Sequence, residues 1–134
     1  MPKIVDIEGI GATYAAKLKE AGIATTEKLL EVAATKKGRD ELATKTGISG
    51  KLVLEWVNLA DLFRVKGIGS EYSDLLEEAG VDTVAELATR KAENLYAKIV
   101  EVNTAKKLVR KVPTEAAVKD WVAQAKKLPR KVEY

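Results

Sequence analysis

Apolar residues recur at three- and four-residue intervals along the chain: Ala15, Leu18 and Ala21, then Leu29, Leu30 and Val32. That is the period of an amphipathic helix, and the same stretches are rich in the good helix formers Ala, Leu, Glu and Lys. No segment alternates apolar and polar positions long enough to read as a strand. The punctuation agrees. "AGIATT" and "AGVDTV" put Gly22 and Gly80 where a helix should end, with Thr25 or Asp82 where the next should be capped. Thr83 with Glu86 also fits a capping box. Breaks at "KKGRDE" and at the glycine-rich "TKTGISGK" divide the first half into about four helices. Pro113, Thr114 and Glu115 suit the start of the last long helix. The pattern predicts an all-α chain of about eight short to medium helices in one compact unit.

The pattern also repeats. "IEGIGATYAAKLKEAGIATTEKLLEVA" aligns with "VKGIGSEYSDLLEEAGVDTVAELATR", pairing Gly9 with Gly67, Gly11 with Gly69, Tyr14 with Tyr72, Leu18 with Leu76, Gly22 with Gly80 and Leu29 with Leu87 at a constant offset. Further on, "VLEWVNLADLFRV" matches "VKDWVAQAKKLPRKV", pairing Trp56 with Trp121 at a larger offset. The second copy therefore carries about seven extra residues, which fall within "KIVEVNTAKKLVRKVP". Residues 1–66 form the first copy and 67–134 the second, with the boundary near Lys66.

Composition narrows the chemistry. A chain of 134 residues can bury a core without cross-links, and it contains neither cysteine nor histidine. Disulfides and thiolate metal sites are thereby excluded, along with the commonest general base and the commonest transition-metal ligand. Ser49, Ser70 and Ser73 have no histidine to activate them, and each "GIG" lacks the preceding strand that a nucleotide-binding fingerprint needs. The expectation is a protein that is not an enzyme and needs no cofactor. The opening "MPKIVDIEGIG" has no basic region followed by an apolar run, which leads to the expectation of a soluble, cytoplasmic protein with no membrane partner.

A net charge of +3 is mild, but it is unevenly spread. Residues 67–89 carry Glu71, Asp74, Glu77, Glu78, Asp82 and Glu86 with no Lys or Arg, whereas the chain from Arg90 onward is rich in cations, among them Lys106, Lys107 and Arg110. Such runs arise on solvated helix faces as well as on partner-binding surfaces.

The glycine pairs have a physical reading of their own. Two glycines around an aliphatic residue let the chain reverse sharply and strip side chains from the turn. The amides at the start of the next helix are then bare, and with the helix dipole they suit one phosphate. Ile10 or Ile68, between the glycines, should point inward and hold the turn. Contacts of this kind position a nucleic-acid backbone without reading bases, and they weaken as salt rises.

"IEGIGATYAAKL" and "VKGIGSEYSDLL" resemble the helix-hairpin-helix motif, and the repeated "EAG" with Ile or Val and Thr resembles the tandem helix-hairpin-helix domains of DNA repair and recombination proteins. Nearly the whole chain resembles a bacterial family of stand-alone tandem helix-hairpin-helix proteins known as a domain of unknown function. The resemblance implies a fold more than an activity. In DNA-binding members of the broad family a cation usually stands two residues after the second glycine. That place holds Thr13 in the first hairpin and Glu71 in the second, where the carboxylate would repel a phosphate. The middle turn, "TGISGK", has Ser49 for the second glycine and Lys45 for the upstream apolar residue, yet it puts Lys51 on the cation's place and resembles the "GIS" hairpins of recombinase N-terminal domains. The wider family also implies that hairpin carbonyls can hold a monovalent cation.

Two functions stay open. The first is a sequence-independent DNA-binding module contacting the phosphate backbone through Gly9, Ile10, Gly11, Thr13 and Lys17, through Gly47, Ser49, Gly50 and Lys51, and through Lys106, Lys107 and Arg110. The second is a protein-interaction or weak self-association module whose acidic row, Glu71, Asp74 and Glu78, lies on one helical face and meets a basic partner or another copy's basic tail. That row could also be an ordinary solvated face or a site for a hard cation. Trp56 and Trp121 could stack on bases, but matched places in apolar helical patterns point to core packing, and Tyr14 and Tyr72 to packing with a wet hydroxyl tip.

Overall fold

The computed structural model describes residues 2–133. A short 3-10 turn, Ile4–Asp6, precedes eight α-helices: α1 (Ala12–Glu20), α2 (Thr26–Ala33), α3 (Lys36–Thr46), α4 (Gly50–Leu62), α5 (Ser70–Glu78), α6 (Val84–Ala88), α7 (Ala92–Lys106) and α8 (Glu115–Lys127). Among the described residues there is no strand beyond one isolated bridge between Lys3 and Thr25, so the protein is all-α. No helix among them is long and apolar enough to cross a membrane.

The chain divides into two units. Unit 1 comprises the residues up to Asp61 together with those from Lys131 onward, and unit 2 is Leu62–Arg130. Within each, apolar side chains at helical spacing turn inward. Ala15, Leu18, Leu29, Leu30 and Ala33 are buried in unit 1, although Val32 is 37% exposed because the helix presents Ala33 to the core instead. Unit 2 closes around Leu75, Leu76, Val81, Leu87, Leu95, Ile99, Val118 and Trp121.

Corresponding backbone bonds recur. The Ile23 amide donates to the Leu18 carbonyl at 2.8 Å and the Val81 amide to that of Leu76 at 2.9 Å. The Ile10 amide donates to Ile7 and the Ile68 amide to Val65, each at 3.2 Å. Threonine caps recur as well, with Thr25 Oγ1 accepting from the Lys28 amide and Thr83 Oγ1 from that of Glu86. Thr83, rather than Asp82, is therefore the residue that caps α6.

The break expected at "KKGRDE" lies earlier. Thr35 caps α3 by accepting from the Gly38 amide at 3.1 Å, and Gly38 sits inside the helix. A β-carbon at Gly38 would lie 2.2 Å from the Val32 carbonyl oxygen, so this glycine is needed where α3 crowds the end of α2. Next to it Arg39 is buried, its guanidinium donating to the carbonyls of Ala33, Ala34 and Glu133 at 3.2, 2.8 and 2.7 Å. The Glu133 amide returns a bond to Ala34 at 2.8 Å, and Val132 is buried. Val132 and Glu133 are thus tied into unit 1.

The extra length of the second copy has two sources. Helix α7 has 15 residues against 11 in α3, and the connection 107–114 replaces the short turn 47–49. At the last helix, Thr114 Oγ1 accepts from the Ala117 amide at 3.0 Å, directly after Pro113.

Candidate nucleic-acid interface

Each glycine corner is built over a tryptophan. Gly9 and Gly67 have φ of +91° and +99°, which residues with a β-carbon rarely adopt. A β-carbon at Gly9 would stand 3.9 Å from Trp56 Nε1, and at Gly67 only 2.9 Å from Trp121 Nε1. Both indoles are buried, so they serve as floors for the corners and not as stacking platforms. Tyr14 packs on Trp56 with ring centroids 5.1 Å apart, and Tyr72 on Trp121 at 5.3 Å. Both tyrosines are half-buried, and the Tyr72 hydroxyl donates to the Lys111 carbonyl at 3.0 Å. Ile10 and Ile68 are buried between their glycines.

The second glycine of each pair is the N-cap of the following helix. Gly11 precedes α1 and Gly69 precedes α5, both extended and both without a side-chain oxygen to cap the first turn. A β-carbon at either would meet nothing within 4 Å. The middle turn is built differently. Gly47 is left-handed, Ile48 is buried, and the Lys51 amide donates to Ser49 Oγ at 3.2 Å. Thr46 Oγ1 takes the Ile48 amide, also at 3.2 Å. Two backbone donors of this turn, the Ile48 and Lys51 amides, are thus already engaged by hydroxyls of the turn itself.

Thr13, Lys51 and Glu71 all occupy the second position of their helices and all are exposed. Lys17, one turn beyond Thr13, is exposed too. It lines a surface hollow of about 310 Å³ with Glu20, Ala21, Lys45 and Thr46, so a cation of α1 and one of α3 share a depression beside the Gly47 turn. Lys45 stood out in the sequence only as a departure from an apolar pattern; nothing local marks it as a neighbour of Lys17. Gly50 is exposed at the start of α4.

In unit 2 the acidic row is partly spoken for. Glu78 is ion-paired with Lys106 from α7, and Asp74 is half-buried and engaged within the chain. Glu71 remains exposed in the first turn of α5. Among the described residues no group of three or more carboxylates is arranged to hold a metal ion. Lys107 caps α7 in a left-handed conformation, and Arg110 is exposed in the connection beyond it.

A family model described as "Domain of unknown function (DUF4332)" matches residues 8–128. No curated protein and no solved structure matches the chain.

Proposed function

We propose that this chain, which belongs to the DUF4332 family, is a non-catalytic DNA-binding module of helix-hairpin-helix type that grips the phosphate backbone without reading sequence. The reading is carried by the corner at Gly9–Gly11. There the first turn of α1 begins at a residue with no capping side chain, open space surrounds the position of a missing β-carbon, and Thr13 offers a hydroxyl instead of a repelling charge. Bare amides at the positive end of a helix attract one phosphate oxygen. Lys17 and Lys45 stand near enough to share a hollow and extend the contact along a strand. The Gly47 turn contributes Lys51 as a cation more than it contributes amides.

Fluorescence anisotropy with labelled duplex and single-stranded DNA tests this. Binding should fall steeply between about 50 and 200 mM salt, as counterion release requires. Lys17→Glu should weaken it more than Lys51→Glu. Absence of binding at micromolar protein in low salt sinks the reading.

A second reading rests on Glu71, which is exposed at a corner whose amides a phosphate would otherwise use. In that reading unit 2 meets a basic protein surface, or the basic segment of another copy in weak self-association. Light scattering across a concentration series would then give a mass above that of one chain, and a Glu71→Gln variant would return it to that of a monomer.

A further inference from the structure

The two copies differ most in the connection before the last helix. Residues 107–114 join α7 to α8, where unit 1 has only 47–49 between α3 and α4. An inserted segment of this kind is ordinarily the loosest part of a unit. This one is tied down. The Asn103 side chain grips Val109 twice, its Nδ2 donating to the Val109 carbonyl at 3.1 Å and its Oδ1 accepting from the Val109 amide at 2.9 Å. Tyr72 holds the Lys111 carbonyl, and Val109 is buried while Leu108 and Val112 pack against the unit 2 core. With those three inside, Lys107, Arg110 and Lys111 face solvent.

Lys107 stands out by its backbone. At φ 52° and ψ 47° it is, among the described residues, the one non-glycine with positive φ, and it occupies the helix-ending position that Gly47 fills in unit 1. A β-carbon is disfavoured in this conformation, so lysine is present against the local backbone preference. A cation does favour the carbonyl end of a helix, but Lys106 already supplies one there and is paired with Glu78. Among the described residues no carboxylate pairs with Lys107, Arg110 or Lys111, whereas the adjacent Lys106 has one.

We propose that residues 107–111 form a rigid basic knuckle through which unit 2 contacts the phosphates of duplex DNA, in place of its own acidic glycine corner. The proposal rests on the DNA reading above and gives the two units different devices for one ligand: bare amides in unit 1, pre-positioned cations in unit 2. Lys106 takes no part.

The test uses the full chain, a labelled duplex and a salt series. An Arg110→Ala/Lys111→Ala double variant, which leaves the Lys111 carbonyl and the buried Val109 in place, should lower the slope of log affinity against log salt by about two. Lys107→Gly should lower it by about one and at the same time raise the melting temperature, because glycine suits the left-handed position. Opposite movement of stability and binding is what a merely structural lysine would not produce. Unchanged slopes in both variants, with wild type binding and Lys17→Glu impaired, would overturn the knuckle and leave the DNA reading standing. Wild type that fails to bind overturns both.

Discussion

The corners at Gly9–Gly11 and Gly67–Gly69 share a main-chain path and a tryptophan floor, yet one opens onto Thr13 and the other onto Glu71. Shape is held by burial, because an isoleucine and an indole beneath each turn leave it little freedom. Charge is not. The second helical position is exposed in both corners, so a hydroxyl and a carboxylate are equally compatible with packing while offering a phosphate opposite receptions. Two corners of matched shape therefore need not offer the same site.

The deepest test of the shared scaffold is removal of the floor. Trp56→Ala and Trp121→Ala should each cost about 4 kcal/mol in urea titrations, and similar losses are expected because both side chains are almost wholly buried. A large inequality would mean that the two corners are supported by different things. The next effect separates them. Gly9→Ala should cost about 1–2 kcal/mol from its positive φ alone. Gly67→Ala should cost roughly 1–3 kcal/mol more, since its β-carbon would stand 2.9 Å from the nitrogen of a buried indole.

Smaller still is the effect at the tyrosines. Tyr72→Phe removes a hydroxyl bonded to the Lys111 carbonyl and should cost about 1 kcal/mol by thermal melting. Tyr14→Phe, which keeps the ring contact to Trp56, should leave the melting temperature almost unchanged. The smallest change concerns charge alone. Glu71→Lys should raise duplex affinity less than about tenfold while costing under about 1 kcal/mol in stability, because it puts a cation in the first turn of α5, and Thr13→Glu should lower affinity by a similar factor. If neither exchange moves affinity, the corners are not where DNA is held.

Much of this architecture was legible in the chain. The period of the apolar residues announced helices, and the offset pairing Gly9 with Gly67 and Leu18 with Leu76 reappears as matched hydrogen bonds. The last helix begins where Pro113 and Thr114 said it would. Where local chemistry offered rival caps, the choice went to the residue that faces its own first turn, hence Thr83 over Asp82. "KKGRDE" reads as a loop because charge and glycine usually mean solvent. Here the glycine marks the crowded junction of α2 with α3, and Arg39 is drawn inside because three carbonyls converge on it, one of them 94 residues away. The strap formed by Val132 and Glu133 is likewise invisible in a tail that looks merely basic and exposed.

The candidate site divides along the same line. Glycine spacing located the bare corners, but it could not show that Ser49 folds back on the Lys51 amide, that Lys17 and Lys45 share a hollow, or that Lys106 is already held by Glu78.

The sequence by itself determined the helices and, in most cases, their caps, because those follow from periodicity and from steric rules acting over a few residues. Only the tertiary structure decided which donors stay uncovered and which charges stay unpaired. That depends on side chains brought together from distant parts of the chain, where proximity comes from packing and leaves no mark in the local order of residues.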